Sequence, residues 1–437
     1  MSAQVTPSST WGAQPGRIVP ETVETRRLAV PAPGRWAAEA FVAEQLAHLT
    51  DRRSVDQPAS SSVYRGGQGA ADAALVAFDV TGYAGRKDEA YPQPRRSVSG
   101  LSPWVRHGLL DLPRLWDHVE GGPDLDVRAF RGELLWQEYA RHRYARRRTT
   151  PAARPAAAVA QRAATGRGWD RRMGCVEIAI DELDEDGWLV DRARRWLAAH
   201  WITASGEDPA EGEDHFFRHL LDGSRAANGL GWAHARHYDL SRWDVEERAP
   251  GLCASCELVR QCPIERPRQP EAELAAVVPA IAPDPAALDG SAEADPDLAA
   301  TAGPRVTVGT ASDADAVWLT AESLGDGDPA LSAHPDLPAV FVFDEPLLAG
   351  LRLSSKRLVF LTETLAELAA SRAVELYLGD PVEALSGRSL AATFTPVPGW
   401  RRRSAQLTMT VVHPWPWLRE PLDGDLTTFD NWRSRYR

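Results

Sequence analysis

Residues 338–380 read PAVFVFDEPLLAGLRLSSKRLVFLTETLAELAASRAVELYLGD, and their pattern decides the fold of the C-terminal part of the chain. Two short runs rich in Val, Phe, Leu and Tyr flank a stretch with apolar residues at three- and four-residue spacing, which predicts strand, helix and strand. That order favours a small parallel, Rossmann-like α/β sheet. Three further β-rich runs follow the same pattern: AVWLT, AATFTPV and QLTMTVV, at 316–320, 391–397 and 406–412.

The chain before this sheet has a different pattern. Its apolar residues recur at helical spacing, as in GELLWQEYARH (132–142), so we expect an almost wholly helical region. The segment 268–304 contains six prolines, seven acidic residues and one arginine, a composition that favours a flexible acidic linker rich in Pro and Ala. We therefore divide the chain into a flexible tail (1–34), a mainly α-helical domain (35–267), the linker (268–304) and a smaller α/β domain (305–437).

The overall composition is that of an ordinary soluble protein. The chain has 437 residues, of which 43% are hydrophobic and 25% charged, with a net charge of −12. It lacks an apolar run of about 18 residues and a signal-peptide pattern, so we expect a cytoplasmic protein with no membrane partner. The acidic balance argues against strong non-specific DNA binding. Residues 141–172, however, carry ten arginines against the single acid Asp170, and they would form either a phosphate-binding patch or an exposed basic loop.

Three of the four cysteines stand together in CASCELVRQCP (253–263), and the fourth is Cys175. Structural disulfides are rare in a reducing cytoplasm, so this grouping favours metal binding or redox work. The spacing is compatible with a tetrahedral Zn(Cys)4 site. Unliganded thiols are the remaining alternative.

Several stretches of the helical region carry a resemblance to a known family. SVSGLSPWVRHGLL (97–110), FRGELLWQEYARH (130–142), VEIAIDELDEDGWLVDRAR (176–194) and HFFRHLLDGSRAANGLGW (215–232) follow one another as the flavin-domain motifs of the photolyase/cryptochrome family do. SLGDGDPAL and LYLGDP resemble parts of that family's N-terminal antenna domain. Because the α/β domain comes first in the family, the resemblance implies a circular permutation in which the acidic linker joins the old termini.

The resemblance implies that the helical domain binds FAD. Arg194 and Asp222 match the family's ion pair beside the isoalloxazine ring, and Asn228 matches the side chain that faces the flavin N5. Without the resemblance, DGSRAANG (222–229) would be interpreted as a helix-ending turn. Hydroxyl donors beside small residues suit a pyrophosphate, and the positions matched to the phosphates are Tyr83, Ser99, Gly100, Leu101 and Ser102. The other matched cofactor residues are Phe130, Gly223 and Ser224.

An iron–sulfur branch of the family, made up of bacterial cryptochromes and photolyases, is similar in its cysteines. That branch places one cysteine in the middle of the flavin domain and three at its end. The resemblance therefore implies that Cys175, Cys253, Cys256 and Cys262 are the four ligands of a [4Fe–4S] cluster. Zinc is the alternative metal.

The residues matched to the reaction site favour two different conclusions. Glu133 and Trp136 match the carboxylate and the aromatic ring that contact a DNA lesion, and they favour repair. Val190 and Asp191, by contrast, stand where the family has histidine and asparagine, and His234 replaces the second tryptophan of Trp-x-Trp. The full set of expected catalytic residues is Glu133, Trp136, Asp191, Asn228 and Trp232.

The usual tryptophan relay of the family is interrupted in this sequence. Its middle position is occupied by Pro209. Trp188, Trp196 and Trp201 are candidates for another electron path, although tryptophans of this kind also serve simply as core residues.

The resemblance thus leaves open three functions for a flavin and iron–sulfur protein. The first is light-driven electron transfer that repairs UV-damaged DNA, with the 141–172 arginines binding phosphate. The second is a cryptochrome-like light or redox sensor, and the third is a flavoprotein recruited to small-molecule biosynthesis. The α/β domain has no evident chromophore motif, which favours the absence of an antenna. The sequence does not indicate an oligomeric state.

Overall fold

The computed structural model describes residues 25–51, 58–146, 169, 171–202, 208–235, 245, 249, 251–260, 262, 297–310 and 313–436. These residues form a helical part and an α/β part, as the sequence predicted. Within the described ranges, no helix has both the length and the apolar composition needed to span a membrane.

The α/β part is built on a seven-stranded sheet. Its strands are β1 (Arg26–Leu28), β2 (Val308–Gly309), β3 (Ala316–Leu319), β4 (Ala339–Asp344), β5 (Val374–Gly379), β6 (Leu390–Thr393) and β7 (Met409–His413). The spatial order is β1-β5-β4-β3-β6-β7-β2. The five inner strands are parallel, whereas β1 and β2 pair antiparallel at the two edges.

The inner strands have the doubly wound topology. β3, the first of them in the chain, lies in the middle, with β4 and β5 on one side and β6 and β7 on the other. Strands of such sheets are covered on both faces and are therefore apolar throughout. AVWL of β3 and LAAT of β6 are buried at every position. The predicted strand, helix and strand are confirmed by β4, the helix Ser355–Leu368 and β5, since the two strands pair in parallel.

The α-helices differ in length, and the longest, Asp124–Ala145, lies in the helical part. In chain order they are α1 (Arg35–Phe41), α2 (Gln68–Ala77), α3 (Tyr83–Arg86), α4 (Ser102–Arg106), α5 (Leu112–His118), α6 (Asp124–Ala145), α7 (Gly174–Asp186), α8 (Asp191–His200), α9 (Pro209–His219), α10 (Arg225–Ala235), α11 (Leu252–Ser255), α12 (Leu298–Ala302), α13 (Pro329–Ala333), α14 (Glu345–Leu351), α15 (Ser355–Leu368), α16 (Pro381–Ala384), α17 (Pro398–Ser404) and α18 (Phe429–Ser434).

The segment before residue 50 packs on the α/β part. β1 pairs with β5, and Phe41 of α1 contacts Phe343 of β4 with ring centroids 6.0 Å apart. Residues 26–34 were predicted in a flexible tail and residues from 35 onward in the helical domain, so this part of the division needs correction. A strand of three residues is too short to show a period in the sequence.

The acidic linker predicted over 268–304 lies mostly outside the described residues. Its last part is described, and it contains the short helix α12. The side chain of Asp297 accepts from the backbone N–H of Ala300 and so caps this helix.

The end of the chain packs on the helical part. Trp432 of α18 is 1% exposed and donates from Nε1 to Nδ1 of His142 on α6, at 2.9 Å. Tyr139, also on α6, donates its hydroxyl to the carbonyl of Leu426 at 2.8 Å. One continuous hydrophobic core then runs through both parts of the molecule.

Candidate functional site

The candidate site centres on the turn between α9 and α10. The amide of Leu220 donates to the carbonyl of Phe216 at 2.9 Å, and the amide of Gly223 donates to the carbonyl of Leu220 at 2.9 Å. The amide of Leu221 reaches across to the carbonyl of Gly187 at 2.7 Å. The segment DGS is therefore a fixed turn, and α10 leads away from it with Asn228 in its first turns.

Arg194 of α8 and Asp222 of the turn form an ion pair, as the sequence resemblance implied. An Nη of Arg194 lies 2.7 Å from Oδ2 of Asp222, and Nε donates to the carbonyl of Leu189 at 2.9 Å. The side chain of Asp222 is 6% exposed. Burial opposes the charge on Arg194, but the carboxylate of Asp222 outweighs it, and the pKa of Arg194 is raised. Arg194 therefore stays charged at neutral pH.

Three polar atoms of Asp222 and of α10 are buried without a hydrogen-bond partner among the described residues. They are Oδ1 of Asp222, Nδ2 of Asn228 and Nε1 of Trp232. Asn228 and Trp232 are four residues apart on α10 and so lie on one face of that helix. Buried polar atoms in native structures are nearly always satisfied, so these unsatisfied atoms fit a missing ligand with both donors and acceptors.

Tyr64 adds a side chain that sequence reasoning missed. Its loop is fixed because the hydroxyl of Ser61 donates to the carbonyl of Asp186 at 2.6 Å. Burial raises the pKa of Tyr64, and the negative charge of Asp222 raises it further. The hydroxyl lies 3.2 Å from where a Cβ would stand on Gly100. Tyr64 therefore connects the Arg194–Asp222 pair to the loop that the resemblance assigns to the phosphates.

That loop, 99–102, has a positive φ at Gly100, of 63°, which glycine adopts without strain. The amide of Leu101 donates to the hydroxyl of Ser99 at 3.4 Å. Ser102 accepts from Nε1 of Trp188 at 2.9 Å. The 99–102 loop thus lies against Tyr64 and Trp188.

Tyr83 lies on the other side of this region, at the start of α3. The carboxylate of Asp126 accepts from the amides of Gly82 and Ala84, both at 2.8 Å, and so fixes the start of the helix. The rings of Tyr83 and Phe130 meet edge to face with centroids 5.3 Å apart. Phe130 therefore lies beside Tyr83.

The expected lesion-contacting residues lie nearer the surface. Glu133 forms an ion pair with Lys87, and its side chain is 42% exposed. Asp191 pairs with Arg195 and is 65% exposed. The pKa of Tyr83 is raised by burial, then by Glu133 and Asp191, which places both carboxylates near its hydroxyl.

Trp136 packs against a second hydrophobic cluster, which α6 forms with the C-terminal segment and α10. Val190 is buried at 1% exposure. The side chain of His234 lies outside the described residues.

A group of aromatic rings leads away from Trp232. Its ring lies 6.4 Å from that of Trp201, which lies 4.7 Å from that of Trp169. Pro209 stands at the first position of α9, where its missing N–H needs no partner. Trp169 was not singled out from the sequence, because the contact joins residues far apart in the chain. Trp188 is placed elsewhere, beside Tyr64 at 5.9 Å, and Trp196 is a core residue at 2% exposure.

The four cysteines converge from two segments. None of them forms a disulfide. A Cβ on Gly174 would lie 2.5 Å from Sγ of Cys256, which places that sulfur against the start of α7 beside Cys175. Burial raises the pKa of Cys175 to about 12, with further contributions from Cys262 and Cys253. Among the described residues, no three His, Cys, Asp or Glu side chains lie close enough together to hold a single metal ion.

The basic stretch 141–172 is described only at its two ends. Arg141 lies 4.7 Å over the ring of Trp415, and Arg146 donates to the carbonyl of Leu422 at 3.0 Å. Arg171 pairs with acidic residues of α7. These arginines bind groups of the protein itself. The other arginines between 147 and 168 lie outside the described residues.

Comparison with known proteins found two curated relatives. The deoxyribodipyrimidine photo-lyase of Synechococcus sp. is 27% identical over 152 residues, which cover 31% of this chain and 31% of that protein. The enzyme of the same description from Escherichia coli is 31% identical over 147 residues, covering 31% of this chain and 30% of that protein. The comparison supports the photolyase/cryptochrome family. The chain matches about a third of the length of each photolyase, and no family model matches it.

Solved structures give a partial likeness of the same kind. A bacterial class III photolyase from Agrobacterium tumefaciens has a TM-score of 0.35 and 17% identity, over 53% of this chain and 48% of that one. A cryptochrome from Synechocystis sp. has a TM-score of 0.34 and 17% identity, over 44% of this chain and 45% of that one.

Proposed function

We propose that this protein binds FAD and carries out light-driven electron transfer of the photolyase/cryptochrome type. The observation that carries the proposal is the buried Arg194–Asp222 ion pair of 2.7 Å, together with unsatisfied polar atoms on Asp222 itself and on Asn228 and Trp232 of the helix that follows it. A polar heterocycle is a ligand class that would satisfy a free carboxylate oxygen, an amide N–H and an indole N–H together.

The residues present fit the flavin. Asp222, Asn228 and Arg194 would face the ring, while Tyr83 and the 99–102 loop would hold the phosphates. Gly223 and Ser224 continue the turn, and Phe130 supports Tyr83. The bound flavin would supply the photochemistry and the electron. The guanidinium of Arg194, held in place by Asp222, would stabilise negative charge in the pocket, and the buried aromatic residues would exclude water.

An aromatic path in this chain would carry an electron to the pocket in place of the interrupted relay. The rings of Trp232, Trp201 and Trp169 lie in sequence with centroids 6.4 Å and 4.7 Å apart. Trp232 is 5% exposed, whereas Trp169 is only partly buried and so lies nearer to external reductants. Trp201 would be the middle ring of this path, since Pro209 occupies the position of the middle tryptophan of the family's relay.

We propose further that Cys175, Cys253, Cys256 and Cys262 bind a [4Fe–4S] cluster. None of the four thiols forms a disulfide, and Sγ of Cys256 lies against the start of α7, beside Cys175. A single tetrahedral zinc ion needs its four sulfurs about 3.8 Å from one another, since each Zn–S bond is about 2.3 Å long. In the cube, by contrast, each thiolate binds its own iron, and metal analysis distinguishes the two.

Repair of UV-damaged DNA is the activity we favour, and Glu133 and Trp136 of α6 would contact the lesion. A cryptochrome-like sensor is the second candidate. Glu133 pairs with Lys87, and the described arginines of the 141–172 stretch contact groups of the protein itself. These side chains are therefore already occupied by contacts within the protein, which is the observation that favours the sensor.

We keep two further expectations as proposals. The chain would be a circular permutation of the family, with the segment 268–304 joining the old termini. The protein would act in the cytoplasm.

A spectrum of purified protein tests the proposal. We expect flavin bands with a broad brown shoulder from the cluster, and iron rather than zinc by metal analysis. Repair is then tested by light-dependent restoration of a cyclobutane-dimer oligonucleotide, with a dark control. Photoreduction without repair would favour the sensor, and a colourless protein without flavin would contradict the whole proposal.

A further inference from the structure

A buried arginine of the α/β part reaches the turn that carries Asp222. Arg357 lies on α15 and is 3% exposed. One Nη donates to the carbonyl of Phe217, and the other donates to the carbonyl of Gly223 at 3.2 Å. The guanidinium therefore holds the backbone on both sides of Asp222, although it comes from the other part of the molecule.

The turn packs closely against the guanidinium of Arg357 at Gly223. A Cβ on Gly223 would lie 2.6 Å from the carbonyl oxygen of Phe217 and 2.9 Å from an Nη of Arg357. The carbonyl of Gly223 also accepts from Nε of Arg106 at 3.0 Å. Two guanidinium groups thus share one carbonyl oxygen, and any shift of Arg357 must move the turn.

The charge of Arg357 has no carboxylate within ion-pair distance among the described residues. Arg106 and Arg225, which approach the same turn, are each paired with carboxylates. Burial lowers the pKa of Arg357 to about 9, with a contribution from Arg106, while the charge of Asp222 acts in the opposite direction. A buried cation without a paired carboxylate is costly, so its presence here calls for a reason beyond folding.

We propose that Arg357 is a positioning residue of the flavin site: it fixes the Asp222 turn from the α/β part and adds positive charge behind it. This inference rests on the proposed function. The α/β part then controls flavin affinity and potential through one side chain. The charge favours the reduced, more negative flavin, and the two hydrogen bonds keep Asp222 aligned with Arg194.

The test compares two substitutions in the full-length protein. Arg357→Met removes the charge and both hydrogen bonds but keeps much of the volume. Arg357→Lys keeps the charge as a compact ammonium that cannot reproduce the planar fork. Arg388→Met is the matched control, because Arg388 is a partly buried arginine of the same part that pairs with Asp315 and Glu375 at the amino ends of β3 and β5.

We expect Arg357→Met to bind FAD about tenfold more weakly and to have a lower midpoint potential than the wild type. Arg357→Lys should keep a potential near the wild-type value while its affinity still falls. Arg388→Met should change neither. The midpoint potential is the decisive measurement, because a purely structural role of Arg357 would not give the Met and Lys variants different potentials.

The outcomes separate this inference from the proposed function. A wild-type protein that takes up no FAD overturns the proposed function and, with it, the flavin role of Arg357. A wild type that binds FAD, together with an Arg357→Met variant of unchanged affinity and potential, overturns the inference alone. If the Met variant does not fold, the Lys variant decides: wild-type affinity and potential in it contradict the inference, and a selective loss of affinity supports it.

Discussion

Replacing Arg194 by Met is the most direct perturbation of the candidate site. Methionine keeps much of the apolar volume of the side chain but removes the 2.7 Å contact with Asp222 and the 2.9 Å bond to the carbonyl of Leu189. The carboxylate of Asp222 would then be buried with neither oxygen paired, since Oδ1 already has no partner among the described residues.

The magnitude follows from the burial of the two partners. Breaking a fully buried pair costs about 3–5 kcal/mol, whereas an exposed pair contributes about 0–1 kcal/mol. The side chain of Asp222 is 6% exposed and that of Arg194 is 22% exposed. We therefore expect a loss of about 2–3 kcal/mol in the free energy of unfolding. The flavin should also be retained less, because the cation that faces its negative charge is gone.

Urea denaturation and the ratio of flavin to protein measure the two effects. Arg195→Met is the matched control on the next residue, since Arg195 pairs with the 65% exposed Asp191 and should cost about 0.5 kcal/mol or less. The double variant Arg194→Met with Asp222→Asn should recover part of the stability, because no buried charge is left. Equal losses from the Arg194 and Arg195 variants, with unchanged flavin content in both, would refute the reasoning.

Further predictions concern other parts of the molecule. Cys175→Ser should deplete iron and lower solubility, because the cube loses one of its thiolates; full iron content would remove Cys175 from the site. Trp201→Phe should slow photoreduction of the bound flavin without lowering flavin content, and an unchanged rate would exclude this ring from the path. Burial lowers the pKa of His142 to about 3, whereas the unfolded imidazole titrates near 6.5. The stability that neutral His142 contributes is therefore complete above about pH 6.5 and falls progressively as the pH approaches 3, as urea midpoints across this range should show. Trp432→Phe removes the N–H that donates to Nδ1 of His142 and should lower the protection of the α18 amides against hydrogen exchange at neutral pH. After proteolysis between 268 and 296, the two fragments should still elute together on gel filtration, because each part packs on segments from the other side of the cut. Separate elution of the fragments would contradict this packing.

Local patterns in the sequence predicted the α/β part well. The parallel pairing of β4 with β5 follows from apolar strands on either side of an amphipathic helix, all within one continuous stretch. The Arg194–Asp222 pair is different, because 28 positions separate the two residues. No period or spacing indicates that contact, and only the resemblance to a family pointed to it.

The contacts that the sequence could not predict join parts of the chain that are far apart. Tyr64 approaches Asp222 across more than half of the helical part, and Arg357 reaches Gly223 from a position 134 residues away. β1 pairs with a strand near the other end of the chain. Such contacts depend on how complete elements pack together, and a single sequence contains no local signal for them.

The packing of the chain ends explains why the site needs both parts. Residues 26–49 precede the helical part yet pack on the sheet, and the C-terminal segment follows the sheet yet packs on α6. The sheet is therefore covered by a segment that precedes the helical part, and α6 is covered by a segment that follows the sheet. Phe41 and Trp432 are buried in these contacts, and separating the two parts would expose one or both of them. Arg357 lies within this interface and contacts the Asp222 turn directly. An interface that is fixed at both ends allows a side chain of the α/β part to position a turn of the helical part accurately, as the proposed flavin site would require.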